Sequence, residues 1–526
     1  MRDTHTKISL HQLARAAASA IGMLLAAHAN SAAPGITGPT FNLRAAPAYM
    51  TQPDGTSIYS WGYGCNGAPT GFAPAAVAGA NCPGMQLPGP TLIVQQGDTV
   101  TVTLTNNLPA AAGNTSILFP GFNVASTGGA AGVLTKEAAV GGSVTYSFVA
   151  DKAGTHSYYS GTQGDLQIEM GLYGAIIVLP TTVPANCVST SNDLARANDF
   201  GKGAEADFRL AKAAYNHSAA CYDREYLFQL SEIDPLIHRQ AEEQAGLACA
   251  QASGCMNVAT EPYHAVYFMI NGRSMPDNMD PNYAVQYPRQ PYNGNPHMHP
   301  GELTLLRIVG HGRLQHPFHE HGNHVRVLAR DGNLLLARDP ANPSQPDPLQ
   351  RLAGPLLFTT TTTPGQTMDG IFYWTGKGLN WDVFGHGYAG DTSVCQPDVN
   401  GYYTADPSAP NYYEWCGDHN KPLEAKPFGN VGGGGPVTLP DPNIVANGPW
   451  YGGSPYLGPE AMIRAVGSTP IPPSGTVANS PTDEAGFAFM WHSHNEREIT
   501  TNNIFPGGML MMMLVDPRAY KIDESK

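Results

Sequence analysis

Charge is scarce in this 526-residue chain: Asp, Glu, Lys and Arg together make up 13% of it, with a net charge of −14. Nucleic acid and anionic membranes attract basic surfaces, so both are poor partners for such a chain. There is no C-x-x-C, which leaves a cysteine-bound metal without its usual spacing. The glycine run Gly432-Gly433-Gly434-Gly435 has no Lys-Ser/Thr after it, which excludes a phosphate loop. Ser160 lies outside any Gly-x-Ser-x-Gly, which excludes a hydrolase elbow. Past the N terminus, no stretch reaches the roughly 18 apolar residues of a membrane span.

The N terminus itself reads as an export signal. Arg2, Lys7 and Arg15 precede an apolar run from Ala16 to Ala27, and Ala27-His28-Ala29 offers a small-x-small cleavage site. Loss of residues 1–29 removes three Lys/Arg and one acid, moving the charge from −14 to −16. The expected location is therefore periplasmic or secreted. Eight cysteines in an exported chain favour disulfides, and they fall into local couples: Cys65/Cys82, Cys187/Cys221, Cys249/Cys255 and Cys395/Cys416.

What is abundant is glycine and proline, 59 and 45 residues, far too many for helical bundles. Thr99-Val100-Thr101-Val102-Thr103-Leu104-Thr105 alternates strictly, placing Val100, Val102 and Leu104 on one face of a strand. Val144 to Val149 repeats the pattern, and Leu172 to Leu179 reads as a buried strand. The expectation is an all-β chain of two sandwich domains. The first spans 34–182, a linker 183–221, the second 222–517 and a tail 518–526. Strands are expected at Tyr226–Leu230, Ala265–Ile270, Leu303–Val309, Val325–Ala329 and Ile371–Thr375, and a helix over Asp234–Ala250. A Gly/Pro/Tyr/Trp-rich insertion, about 376–483, interrupts the second domain, and loops that long are usually functional.

The chemistry-bearing motifs are His316-Pro317-Phe318-His319-Glu320-His321-Gly322 and Met490-Trp491-His492-Ser493-His494. Residues i and i+2 of a strand share a face, so each His-x-His can present two imidazoles together. If neighbouring strands carry the pairs, His319, His321, His492 and His494 can hold a copper ion, zinc not being excluded, through nitrogens at about 2.0–2.1 Å. By the same alternation, Glu320 points away, toward the surface or an outer position.

Together with Gly89-Pro90-Thr91-Leu92-Ile93-Val94 and Gly171-Leu172-Tyr173-Gly174-Ala175-Ile176, these motifs make the chain resemble the multicopper oxidase family, with its cupredoxin-like Greek-key sandwiches. The resemblance implies that His319, His321, His492 and His494 match ligands of that family's trinuclear copper cluster. It implies that His316, a possible additional metal ligand, matches a ligand of the electron-accepting type 1 copper. The departures are as specific. Ser493 stands where the type 1 cysteine would be, Glu498 replaces a type 1 histidine, and Met509 alone matches an axial position. Leu118, Pro120, Tyr159 and Gly161 occupy the four first-domain histidine positions. A blue-copper site needs the Cu–thiolate bond, so none is expected. One ion is expected rather than a cluster.

Other histidines carry weaker signals. His297 and His299 suggest an exposed copper-capture turn or, more simply, a polar loop. His324 reads as structural, and His386 and His419 fall in the insertion. Met509, Met511, Met512 and Met513 suit a core strand better than thioether copper ligation. Tyr158 and Tyr159 are either aromatic filling for the missing ions or a redox partner beside copper. Three functions stay open: a copper oxidoreductase acting on a small molecule or metal ion, a protein that sequesters copper, and a copper-free scaffold that binds protein. Assembly into a homo-oligomer is also left open.

Overall fold

A computed structural model describes residues 32–187, 205–299, 301–374, 453–456, 462–463, 477–478, 486–516 and 522–525. They form an all-β protein of two sandwiches, each of two facing sheets, as the alternating strands require.

In the first sandwich, one sheet runs Ser57–Cys65, Thr40–Thr51, Thr99–Asn106, Ser143–Val149, Ala125–Gly128. The other runs Gly154–Tyr159, Tyr173–Leu179, Leu92–Gln95, Gly35–Thr37, Phe72–Ala73. Val100, Val102 and Leu104 pair with Phe148, Tyr146 and Val144 and are buried with them, while the intervening threonines are partly exposed. Alternation thus sorts the strand into a core face and a wet face, each buried branched side chain contributing about 1.5–3 kcal/mol.

In the second sandwich, one sheet runs Tyr267–Ile270, Arg224–Ile233, Leu303–Gly310, Thr367–Tyr373, Val325–Arg330, Asn333–Leu334. The facing sheet runs His297–Met298, Leu510–Val515, Gly486–Ser493, His316–Glu320, Thr359–Thr362. Phe228, Phe318, Phe372, Trp374, Phe487, Phe489 and Trp491 fill the space between them. Met509, Met511 and Met513 are fully buried in the same core, which is the plain reading of the methionine strand.

The helix is shorter than expected, Pro235–Gln244. Asp234 caps it by accepting from Leu236 N at 2.9 Å, and Pro235 occupies the first turn, where a missing N–H costs nothing. The strand expected at Ile371 begins four residues earlier, at Thr367. Asp369 and Gly370 hid it from a propensity reading. Asp369 is buried because Thr155 Oγ1 and Tyr215 Oη donate to it and Arg307 lies 3.6 Å away.

Disulfides join Cys65–Cys82, Cys187–Cys221 and Cys249–Cys255. Cys395 and Cys416 lie outside the described residues, as do His386, His419 and nearly all of the expected insertion.

Candidate metal centre

The His316–Glu320 strand pairs antiparallel with Gly486–Ser493, setting His319 opposite His492 and Phe318 opposite Ser493. Directly opposed residues share a face, so this register puts His319, His321, His492 and His494 on one side of the pair. His316, Phe318, Glu320, Trp491 and Ser493 go to the other.

The four imidazoles converge. Ring centres of His319 lie 4.9 Å from His321, 5.7 Å from His492 and 4.8 Å from His494. His492 lies 5.1 Å from His321 and 5.5 Å from His494. His321 Nε2 and His492 Nε2 are 3.2 Å apart, close to the roughly 3.3 Å between two nitrogens ligating one tetrahedral ion. Among the described residues, no group of three or more His, Cys, Asp or Glu side chains is already arranged to hold a metal ion.

Neighbours fix the rings from behind. Thr359, opposite His319 on the edge strand, has its Oγ1 2.6 Å from His319 Nδ1. His492 Nδ1 lies 2.7 Å from Ser493 O and donates to it, which turns Nε2 toward His321. Trp491 Nε1 donates to His321 O at 2.8 Å, tying that loop to the core. These are the outer contacts that set tautomer and orientation at metal-binding histidines. His319, His321 and His492 are buried, whereas the His494 side chain is 50% exposed and marks the open side. Burial, aided by His321, His494 and His492, pulls the His319 imidazole down to about 3, and burial also lowers His492. Both are therefore neutral at pH 7, the form that ligates a metal.

His316 is a correction. It lies on the opposite face, fully buried, with Nδ1 2.8 Å from Glu498 Oε2 and Nε2 2.8 Å from Glu232 Oε2. Burial pulls it down, but the hydrogen bonds to Glu232 and Glu498 outweigh that and push it up to about 9. An imidazolium with both N–H groups engaged has no lone pair for a metal. Ser493 Oγ donates to the same Glu498 oxygen. His316 and Glu498, with Ser493 beside them, thus form a hydrogen-bonded ion pair.

Glu320 is a second correction: the face it points to is core rather than surface. It is fully buried, accepts from Thr360 Oγ1, and burial raises its carboxyl well above the usual range.

His297 and His299 are buried in a polar cluster, which keeps the simpler reading and sets aside the exposed copper-capture turn. His297 Nδ1 is 2.7 Å from Asp516 Oδ2, and His299 Nε2 is 3.0 Å from Glu205 Oε2. Glu205, Glu302 and Glu524 surround Arg224 in the same network.

In the first sandwich Leu118, Tyr159 and Gly161 lie together. Leu118 bridges Tyr159, and a Cβ on Gly161 would come within 2.8 Å of Leu118. Tyr158 is committed to the first core: its hydroxyl donates to Pro90 O at 2.6 Å and its ring tilts against Tyr63 and Phe119. The His324 ring lies tilted against Phe358, ring centres 3.9 Å apart.

Sequence reasoning found the four imidazoles but missed Thr359, Glu232, Tyr263 and Glu169. Thr359 sits in a run of five threonines, and the others are distant in sequence, so none carries a local signal.

The multicopper oxidase family profile matches residues 69–182. A multicopper oxidase (MCE) of Talaromyces pinophilus is 34% identical over 114 residues, 20% of this chain and 18% of that protein. An L-ascorbate oxidase of Brassica rapa subsp. pekinensis is 41% identical over 96 residues, 18% of this chain and 16% of that protein. The matches span less than a fifth of either relative's length. Among solved structures, multicopper oxidase mgLAC aligns at TM-score 0.45 and 15% identity, over 91% of this chain and 86% of that one. The profile match and the two relatives agree in making residues 69–182 similar to a domain of the multicopper oxidase family, over about a fifth of the chain.

Proposed function

We propose that this protein is an exported oxidoreductase that binds one copper ion through His319, His321, His492 and His494 and has no blue-copper centre. The observation that supports it is the convergence of four imidazoles from two paired strands, with His321 Nε2 and His492 Nε2 at ligand spacing. The donor set fits: neutral imidazoles suit copper, and zinc as an alternative.

When bound, such an ion supplies one-electron chemistry toward dioxygen or peroxide, with a phenol or a reduced metal ion as the electron source. The chain's own residues do the rest. Thr359 and Ser493 O hold the rings, Trp491 anchors the His321 loop, and half-exposed His494 leaves one side of the centre open. Ser493 is a hard, weak ligand that keeps its proton, so an electron has no thiolate route into the centre and must come from a donor at that open side. The domain limits of 34–182 and 222–517, and the removal of residues 1–29, belong to the same proposal.

The test is copper-loaded protein assayed for oxygen consumption with phenols or cuprous ion. Turnover that disappears in His492→Ala supports the reading. One bound copper without turnover points to sequestration, and no bound copper leaves only a sandwich scaffold.

A further inference from the structure

Behind the four imidazoles, on the other face of the same strands, runs a second polar assembly that metal binding does not use. Ser493 Oγ donates to Glu498 Oε2, and His316 bridges Glu498 and Glu232 at 2.8 Å on each side. Glu232 Oε1 lies 3.3 Å from Tyr263 Oη, and Tyr263 Oη lies 2.8 Å from Glu169 Oε2. Ser493, Glu498, His316, Glu232 and Glu169 are each at most 1% exposed, while Tyr263 is partly exposed.

Each member is held. Glu232 Oε1 also accepts from Arg313 N and Leu314 N, and Glu169 Oε1 from Asp234 N at 2.7 Å. Arg313 lies over the Tyr263 ring at 4.4 Å and pairs with Glu261. His238 Nε2 is 3.1 Å from Glu169 O, and Asn495 Nδ2 donates to Glu498 Oε1 at 3.0 Å. A buried imidazolium between two carboxylates has no direct contact with water, yet Glu232 presents one oxygen to it and the other to Tyr263.

We propose that Glu232, Tyr263 and Glu169 form the route by which His316 exchanges its proton with solvent. The place matching the family's electron-accepting copper then holds a switchable unit charge behind His492 and His494. In the outward step the His316 Nε2–H bond breaks and an O–H bond forms on Glu232 Oε2. A half-turn of that carboxyl, which gives up its bonds from Arg313 N and Leu314 N, carries the proton to Tyr263, whose own hydroxyl proton leaves for Glu169 or for water at this partly exposed residue. Imidazolium becomes imidazole, and the proton has moved to Glu169 or to water. Burial pushes Glu169 up to about 8, near the value of about 9 at His316, so neither end traps the proton.

The role of this charge at the metal centre rests on the proposed function; the exchange route does not. The test is hydrogen–deuterium exchange of the His316 ring N–H in the metal-free full chain, read by nitrogen-15 NMR. Tyr263→Phe keeps the ring under Arg313 and is expected to slow exchange at least ten-fold. Glu169→Gln, a near-isosteric second variant, should also slow it. Exchange at the wild-type rate in both variants overturns the route. Zinc added as a diamagnetic probe separates the two claims. Bound zinc that shifts His316 toward neutral imidazole supports the charge role, and bound zinc with no shift overturns it. Failure of zinc to bind counts against the metal centre, with the exchange data still deciding the route.

Discussion

The two faces of one strand pair have met the same problem, the placement of polar groups in a dry interior, in opposite ways. On one face, four imidazoles crowd together with one side open, and His321 and His492 share a donor–acceptor contact. On the other, a single imidazolium is closed between Glu232 and Glu498. The first arrangement gathers imidazole nitrogens of the kind that take a cation; the second has already taken one, a proton. A buried pair of charges survives only if every partner is present. A cluster of neutral rings pays no such penalty and tolerates an empty centre. The second face accordingly sets acidic and hydroxyl partners around His316, whereas in the first sandwich Leu118 packs against Gly161.

The sharpest contrast comes from removing one member of each face. His321→Ala should lower copper affinity by more than about 100-fold, above the range for outer contacts, while shifting the urea midpoint little. Isothermal titration against an equilibrium unfolding curve checks both. Glu498→Ala should do the reverse, costing about 3–5 kcal/mol of stability by stranding the His316 charge.

Next comes pH. His316 is raised in the folded state to about 9, above an unfolded value of about 6.5. Its stabilisation is therefore complete below about pH 6.5 and disappears as pH rises through about 9, a loss of up to about 3 kcal/mol. Glu169, raised to about 8, acts in the same direction. Unfolding free energies measured between pH 6 and 10 should fall in the wild type and fall less in His316→Gln, where the Glu169 part remains.

The smallest effect expected is from Thr359→Val, which frees the His319 ring. Copper affinity should drop about ten-fold, with stability changed by about 1 kcal/mol.

Much of this was legible before any coordinates. Strict Thr/Val alternation marked the first sandwich, and the i, i+2 spacing of His319/His321 and His492/His494 told which rings share a face. Their register, His319 against His492, was not legible, because strand pairing depends on contacts about 170 residues apart. Buried charge was equally hidden. Arg224, Arg307 and His316 look like ordinary polar residues in the sequence, and their partners Glu524, Asp369 and Glu498 lie far along the chain. The alternation rule even misled at Glu320. It gave the right direction, but which face is wet is decided by the second sheet packed on it.

The most direct test of the account is pulsed EPR on protein loaded with one equivalent of cupric ion, counting the imidazole nitrogens coupled to the spin. Three or four, lost stepwise in the His321→Ala and His492→Ala variants, is the result expected. A signal coupled to one imidazole or none, unchanged by those variants, would contradict a shared centre.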